Sequence, residues 1–225
     1  VVFFSFALFF AMILSDAGYA MVFIAILAFK WKKMGLSKQG LRFRMLLFVT
    51  LTSALIWGIL AGSYFGFSPA ESAMMGKIKL FDMNDFDTMM KISIFVGVAH
   101  IAFANLVQAY EFKNNTLRYS SLGWALAVIG GFILWLSTEV EANVLLQPIA
   151  YSCLSLAGLA LLLFSSERAL KRPIDYILRL VDGIKNLTSI TKIFGDVLSY
   201  MRLFALGLAS ASLAITFNQL AIQVY

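Results

Sequence analysis

One arginine stands inside a long apolar run near the end of the chain. Arg202 lies between Phe194 and Tyr225, where most neighbours are Leu, Ala, Ile or Phe. A guanidinium stays protonated under any accessible condition, because its pKa exceeds about 12. Placing it in a bilayer costs from about 2.5 to over 10 kcal/mol, which makes an unpaired, lipid-facing arginine improbable. The residue type and its position therefore predict a fixed cation that meets a counter-charge inside a membrane.

Small and polar residues accompany Arg202 along one face of the predicted helix. We define this arginine stripe by steps of three and four residues, the spacing of one helix face. Its members are Ser199, Arg202, Ala205, Ala209, Ser212, Thr216, Gln219 and Gln223. Small residues permit close approach by a neighbouring helix. Two interpretations follow: Arg202 is a functional cation on an ion pathway, or it pairs with a carboxylate such as Asp16 and locks the bundle.

Four other polar residues lie in or beside apolar runs. Asp16 is expected either to line an aqueous path or to cap a helix at a turn, and His100 either to relay protons or to be a hydrogen-bonded core histidine. Glu139 and Glu141 lie beyond the end of a span, where they either attract cations or belong to a solvated loop. Gly58, Gly62 and Gly66 recur every four residues, which indicates close helix packing.

The composition excludes a soluble protein. Of 225 residues, 61% are hydrophobic and 13% are charged, and the mean hydropathy is +0.86. Soluble domains are roughly 45–50% apolar and about 25% charged. Cys153 is the single cysteine, which excludes an intrachain disulfide or a thiolate metal cluster. Gly35 and Gly40 do not form a phosphate-binding loop. We expect no cofactor, no metal site and no nucleic acid partner.

The apolar runs predict an all-α, polytopic transmembrane helical bundle, formed by residues 1–225 as a single transmembrane domain. Each run approaches the roughly 20 residues that cross a bilayer. The predicted spans are 45–67, 92–110, 122–137, 145–165 and 194–225. Residues 1–29 are expected to form a helical hairpin that turns at Asp16 and Gly18, with one long helix carrying a buried aspartate as the alternative. A hairpin gives seven helices in all.

The charges predict the orientation of the bundle. Fourteen of the 18 Lys and Arg residues fall in three segments, 30–44, 111–121 and 166–192, whereas the other connections are rich in acids. If the spans alternate, these segments share one side, which the positive-inside rule assigns to the cytoplasm. Segment 166–192 also interleaves Ile, Leu and Val with basic residues, as an amphipathic helix on the membrane surface or against a partner does.

Residues 199–209, Ser-Tyr-Met-Arg-Leu-Phe-Ala-Leu-Gly-Leu-Ala, closely resemble the arginine-bearing helix of the large membrane subunit of V-type and archaeal-type rotary ATPases, subunit a or subunit I. Three further segments resemble that family in the same order. They are residues 10–19 with Ser-Asp-Ala-Gly-Tyr, residues 57–66, and residues 91–104 with Gly97 and His100. The resemblance covers nearly the whole chain.

The resemblance implies a multi-pass, non-catalytic stator subunit, in a prokaryotic cell membrane, that moves protons or sodium ions. Its partners would be the lipid bilayer, the proteolipid (c or K) ring, the peripheral stalk and the other subunits of the ATPase. Two aqueous half-channels would load and unload the ring carboxylate, which Arg202 keeps ionised. Ser199, Ser212, Thr216 and Gln219 would accompany Arg202 on a long, tilted helix.

The family's membrane half has eight helices, and its last helix and its cytoplasmic N-terminal half have no counterpart here. We therefore expect this chain to be a fragment. The half-channel candidates are Asp16, His100, Glu139, Glu141 and Ser210, the last standing where eukaryotic relatives often carry histidine. Two other classes stay open: a secondary transporter, which predicts repeated halves, and a structural membrane anchor with Arg202 as the lock.

Overall fold

A computed structural model describes residues 2–67, 69, 78–81, 85–139, 146–166 and 173–224 of the chain. These residues form helices joined by short turns, with no β-strand among them apart from an isolated bridge between Tyr64 and Phe67. The predicted helical bundle is confirmed. In chain order the helices are α1 (Val2–Leu14), α2 (Ala17–Met34), α3 (Lys38–Ala61), α4 (Phe86–Glu111), α5 (Leu117–Glu139), α6 (Leu146–Phe164), α7 (Pro173–Leu187), α8 (Ile190–Ser199) and α9 (Met201–Val224).

Five helical segments of the described residues are long and apolar enough to cross a membrane. They are Lys38–Ala61, Phe86–Glu111, Leu117–Thr138, Leu146–Phe164 and a stretch within Val181–Val224. Each one contains or overlaps a span that the apolar runs predict. The chain divides into two compact units. Unit 1 comprises Val1–Ser93 with Met201–Tyr225, and unit 2 comprises Ile94–Tyr200.

In unit 1, the chain breaks at Ser15 and Asp16, close to where the sequence predicts a turn. Ser15 has a positive φ of 45° and its hydroxyl donates to the carbonyl of Met12, which ends α1. Asp16 is extended and caps α2 through the amide of Tyr19. Both helices make their extensive contacts with α3 rather than with each other. Ala11, Ala20 and Ala54 are fully buried where α1, α2 and α3 meet, since small side chains let three helices approach.

The basic residues of segment 30–44, which is predicted to connect two spans, lie on helices. Lys32 and Lys33 occupy the last turn of α2, where a positive charge offsets the negative end of the helix dipole. Gly35 and Ser37 bound the short turn, and the Ser37 hydroxyl accepts from the amide of Gly40 to begin α3. The guanidinium of Arg44 lies 4.3 Å from the Trp31 ring centroid, and its Nη1 donates to the Trp31 carbonyl at 3.1 Å.

A tight turn follows α3. Gly62, with φ of 65°, ends the helix in the left-handed conformation. Tyr64 and Phe67 then exchange two backbone hydrogen bonds of 3.0 Å, with Phe65 (φ 54°) and Gly66 (φ 77°) between them. Positive φ at both central residues is the signature of a type I′ turn. We refer to residues 62–67 as the α3 turn. Two of the three glycines predicted to mark helix packing therefore serve the backbone of this turn.

An aspartate caps the start of α4. The Asp85 carboxylate accepts hydrogen bonds from the hydroxyl of Thr88 at 2.6 Å and from its amide at 3.2 Å. These bonds stabilise the ionised carboxylate and hold the pKa of Asp85 below its ordinary value. An acceptor at this position satisfies amides that the first helical turn leaves unpaired.

Unit 2 is built on the pair α5 and α6. The two helices approach closely at two glycines of α5. A Cβ added to Gly123 would lie 3.1 Å from the Cβ of Ala160, and one added to Gly130 would lie 3.1 Å from the Cβ of Cys153. Gly183 of α7 packs against the backbone of Leu162 in α6. The helix α7 lies within the segment predicted to be amphipathic, and its Ile177, Leu178, Val181 and Ile184 side chains are exposed on one face.

The predicted span 194–225 is divided between two helices. Ser199 ends α8, and the amide of Tyr200 donates to the carbonyl of Val197 at 3.1 Å in a tighter turn than that of an α-helix. The helix α9 then starts at Met201, so Arg202 lies in its first turn.

Gly58 of α3 is predicted to be intolerant of any side chain. A Cβ at this position would lie 2.2 Å from the backbone nitrogen of Ala17, at the break between α1 and α2. Gly58→Ala should therefore destabilise unit 1 by roughly 1–3 kcal/mol, as overpacking does. The measurement is the thermal unfolding midpoint of the purified protein in detergent.

Gly158→Ala supplies the matched control, since no atom lies within 4 Å of a Cβ placed at that α6 position. The control should leave the midpoint unchanged or raise it slightly, because alanine favours a helix by about 1 kcal/mol over glycine. Equal midpoints for Gly58→Ala and the original protein would contradict the close packing.

Candidate functional site

The helix that carries Arg202 has a packed face. Gly207 and Ala214 of α9 are buried, and Phe204 and Ala211 pack against a core of Ala61 and Met89. These four residues recur at intervals of three and four, so they lie along one side of the helix. This side joins α9 to the rest of unit 1.

The arginine stripe lies on another side of α9, and it is exposed. At 3.6 residues per turn its centre is rotated by about 150° from that of the packed face. All its members within α9 are exposed, namely Arg202, Ala205, Ala209, Ser212, Thr216, Gln219 and Gln223. Arg202 makes interactions of its own within the chain. The structure thus brings four predicted site residues, Arg202, Ser212, Thr216 and Gln219, to one accessible surface.

Three close contacts fix the position of α9 in unit 1. A Cβ at Gly207 would lie 2.7 Å from the carbonyl oxygen of Met12, so α1 and α9 touch through backbone. A Cβ placed on Gly66 of the α3 turn would lie 2.8 Å from the Cβ of Ala214. Asn218 Nδ2 donates to the carbonyl of Phe65 at 2.6 Å. The α3 turn therefore supplies two of these three close contacts.

The α3 turn depends in turn on the carboxylate of Asp16. Its Oδ1 accepts from the amides of Tyr19 at 3.0 Å and Phe65 at 2.9 Å. Its Oδ2 accepts from the hydroxyl of Ser63 at 2.8 Å and the amide of Gly66 at 2.9 Å. A carboxylate offers about four acceptor positions, and four uncharged donors engage them here. Asp16 is only 5% exposed, so these donors take the place of water around the charge.

This geometry separates the two roles considered for Asp16. The capping role has its hydrogen bond, to Tyr19, and three more bonds to the α3 turn. With the acceptor positions engaged, Asp16 has little capacity left to hold Arg202 or a passing ion. Its half-channel role stays a prediction without geometric support.

His100 is joined to the residue that precedes α9. Its Nδ1 and the hydroxyl of Tyr200 are 2.6 Å apart, and both residues belong to unit 2. The ring of Tyr200 packs over Gly97, where a Cβ would lie 2.8 Å away. This contact matches the interpretation of His100 as a hydrogen-bonded core histidine. A proton-path role for His100 stays a prediction.

The remaining predicted residues are scattered. Ser199 is exposed at the end of α8 in unit 2, and Ser210 is half-buried on a face of α9 away from the stripe. Glu139 is the last residue of α5, and its side chain lies outside the described part of the chain. Glu141 lies entirely outside the described residues.

Most of the residues that hold α9 in place were not predicted from the sequence, and Gly66 was predicted only to mark close helix packing. Ser63, Phe65 and Gly66 form the partner surface for Asp16, and Asn218 fastens α9 to it. The signal that could have found the turn is Phe-Gly between two aromatic residues after a helix-ending glycine. Asn218 is a polar residue off the arginine stripe, which was a reason to seek a separate partner for it.

Nearly the whole chain is similar to proteins that share one name, subunit I of a V-type or A-type ATP synthase. V-type ATP synthase subunit I of Chlamydia pneumoniae is 24% identical, over 99% of this chain and 42% of that protein. The subunit I of Borreliella burgdorferi is 27% identical over 97% of this chain and 38% of its own length. A-type ATP synthase subunit I of Pyrococcus horikoshii is 26% identical over 99% of this chain and 33% of its own length.

These relatives confirm the resemblance to subunit I. The chain spans about two fifths of the length of the first two subunit I relatives, 42% and 38%. No family model matches the chain. The five membrane-length helical segments and the subunit I relatives together mark this chain as an integral membrane protein.

Replacing Asp16 should release the α3 turn and loosen α9. Asp16→Ala leaves the buried hydroxyl of Ser63 and the amides of Phe65 and Gly66 without their acceptor. Bonds to a charged group contribute about 1.5–3 kcal/mol each, so unit 1 should lose at least about 3 kcal/mol of stability. Amide hydrogen exchange should accelerate in residues 62–67 and along α9.

The pair α5 and α6 in unit 2 serves as the internal control for exchange, and Asp196→Ala as the control variant, since Asp196 is an exposed acid on α8. If Asp16→Ala exchanges at the original rate in residues 62–67, the carboxylate does not hold the turn.

Proposed function

We propose that this chain is part of the ion-translocating stator subunit of a rotary V/A-type ATPase. The observation that carries the proposal is the division of α9 into a packed face and an exposed stripe that includes Arg202. The subunit I relatives support the assignment to this class of complex. Arg202 makes interactions within the chain, and its exposed position on the stripe also leaves it accessible to a negatively charged partner surface.

In the proposed mechanism, Arg202 meets a carboxylate carried by each subunit of a rotating proteolipid ring. Attraction in a medium of low dielectric constant favours the ionised carboxylate and lowers its pKa. The ring carboxylate therefore releases its ion as it arrives and passes Arg202 in the charged form. Because the guanidinium cannot lose its proton, it also blocks direct leakage between the two sides.

The remainder of the stripe is suited to a sliding contact. Ala205, Ala209 and Ser212 are small, which lets a ring helix pass close to Arg202. Thr216 bonds back to the carbonyl of Ser212 at 2.8 Å, so its hydroxyl is already satisfied within α9. Gln219 continues the polar edge toward the end of the helix and would line part of a half-channel.

Two aqueous half-channels, open to opposite sides, would let ions reach and leave the ring. His100, Glu139, Glu141, Ser210 and Asp16 are the candidates for them, with Asp16 the least favoured for the reason given above. The basic segments would face the cytoplasm by the positive-inside rule. One charge crossing about 100 mV supplies about 2.3 kcal/mol to rotation. ATP chemistry would belong to other subunits, and the peripheral stalk would hold this one still.

A structural anchor is the second function considered. It requires Arg202 to lock the bundle through a partner in the chain, and Asp16 was the proposed partner. Since four neutral donors engage the Asp16 carboxylate, this version of the lock has lost its main support. A secondary transporter has no repeated halves in the sequence to support it.

Arg202→Gln in the intact complex tests the proposal. ATP-driven ion transport into reconstituted vesicles should fall at least about tenfold, since a close charge pair in partly desolvated surroundings contributes several kcal/mol. The assembled complex should be recovered in normal yield. Arg118→Gln, which removes the same charge from an exposed position outside the predicted spans, should transport normally.

Retained transport by Arg202→Gln would refute the proposed role. Failure of the complex to assemble, with normal assembly of Arg118→Gln, would instead favour the bundle lock. Repeating the transport measurement with and without sodium identifies the ion.

Ala209→Leu tests the sliding contact separately from the charge. The larger side chain projects from the exposed stripe and should hold the partner surface away from Arg202, slowing transport several-fold without removing any charge. Ala221→Leu makes the same change at an exposed position on a different face of α9 and should have little effect. Equal transport rates for both variants would show that close approach at the stripe is not required.

A further inference from the structure

Unit 2 contains a polar cavity that the proposed ion pathway does not use. The cavity has a volume of about 910 Å³ and lies where α4 ends, α5 begins, α6 ends and α7 turns into α8. Its wall includes Ser120, Ser165, Asn186, Asp182 and Lys185. No residue of α9 lines it. The volume is in the range of small-molecule sites.

The polar wall is organised by hydrogen bonds among side chains from three helical regions. The hydroxyls of Ser120 and Ser165 are 3.1 Å apart, and Asn186 Nδ2 donates to Ser165 Oγ at 2.7 Å. The buried Ser166 donates to Asp182 Oδ2 at 2.8 Å. Asp182 and Lys185 are separated by one helical turn on α7, so a negative and a positive group lie side by side at the cavity.

An apolar groove shares a wall with this cavity. The groove has a volume of about 540 Å³ and is lined by α4, α5, α6 and α8, including Val128, Gly131, Phe132 and Phe194. Trp124 lines both the groove and the polar cavity, so the two spaces meet at its side chain. A polar chamber beside a hydrocarbon-lined groove fits an amphiphile better than a free anion or a purely apolar molecule.

The surface helix α7 places the polar cavity at headgroup depth. Ile177, Val181 and Ile184 are exposed on one face, and a helix with such a face lies in the membrane interface. Asp182 and Asn186 lie on a different side of the same helix, toward the cavity. The groove then extends from the interface toward the hydrocarbon region.

We propose that unit 2 binds a phosphatidylethanolamine molecule, with the headgroup in the polar cavity and an acyl chain in the apolar groove. The ammonium of Lys185 suits the phosphate. Asp182 suits the primary ammonium, which can donate hydrogen bonds to a carboxylate, whereas the trimethylammonium of phosphatidylcholine cannot. The charges of this headgroup match the adjacent Asp182 and Lys185, so a zwitterionic lipid is favoured over an anionic one.

The two spaces can be tested by different substitutions. Gly131 lines the groove, and no atom lies within 4 Å of a Cβ placed there, so Gly131→Leu is expected to direct a larger side chain into the groove. Gly158 of α6 is equally open to a side chain and does not line the groove, which makes Gly158→Leu the matched control. Asp182→Asn removes the charge expected to recognise the ammonium.

The experiment purifies the protein in its natural assembly, exchanges it into nanodiscs of phosphatidylcholine with a minor fraction of phosphatidylethanolamine, and measures retained lipid by native mass spectrometry. Phosphatidylethanolamine should be enriched on the original protein and on Gly158→Leu. It should fall at least about tenfold on Gly131→Leu, because methylenes withdrawn from the groove lose their burial. On Asp182→Asn the preference for ethanolamine over choline should disappear.

Equal retention by Gly131→Leu and Gly158→Leu would overturn the proposal, as would an original protein that shows no preference between the two lipids. Enrichment of an anionic lipid in place of phosphatidylethanolamine would overturn the assigned headgroup. The measured quantity is lipid retention, which does not depend on ion transport at the arginine stripe. Failure of this proposal can therefore be distinguished from failure of the proposed function.

Discussion

Four neutral donors converge on one buried carboxylate in unit 1, and the placement of the arginine helix depends on that convergence. Asp16 lies at the break between α1 and α2 and caps α2. Its hydrogen bonds to Ser63, Phe65 and Gly66 hold the α3 turn, in which Phe65 and Gly66 are left-handed. Phe65 would not adopt a positive φ without such support, since this region disfavours side chains. The same turn receives Ala214 and Asn218 of α9. A charge near the middle of an apolar stretch thus acts as a structural centre.

The helix α9 combines two requirements that normally conflict. One face must pack tightly enough to fix an arginine in position, and another must leave that arginine available to a partner. Gly207 and Ala214 meet the first requirement because they allow backbone-close contacts, and the exposed stripe meets the second. The proposed function follows from this division more directly than from the presence of Arg202 alone, since a buried arginine in a packed face would serve only the bundle.

Much of the fold could be predicted from the sequence because hydropathy dictates where helices must run in a bilayer. The helices α3 to α6 overlap the predicted spans, and the helix break lies at the polar interruption of the first apolar stretch, Ser15 and Asp16. The α3 turn was not predictable in the same way, since its bonds join residues 47 to 50 positions apart. The stripe was visible as a period along the chain, whereas its exposure and the role of Asn218 depend on three-dimensional packing.

The connections of unit 1 also bear on the order in which the protein is built. Met12, Asp16 and the α3 turn all belong to the first 67 residues, and they form the surface against which Gly207, Ala214 and Asn218 pack. This surface can assemble in the membrane long before α9 leaves the ribosome. The helix that carries Arg202 therefore enters the bilayer beside a docking surface that already exists. Burial of its packed face can begin as the helix is inserted, which offsets part of the cost of carrying a guanidinium into lipid.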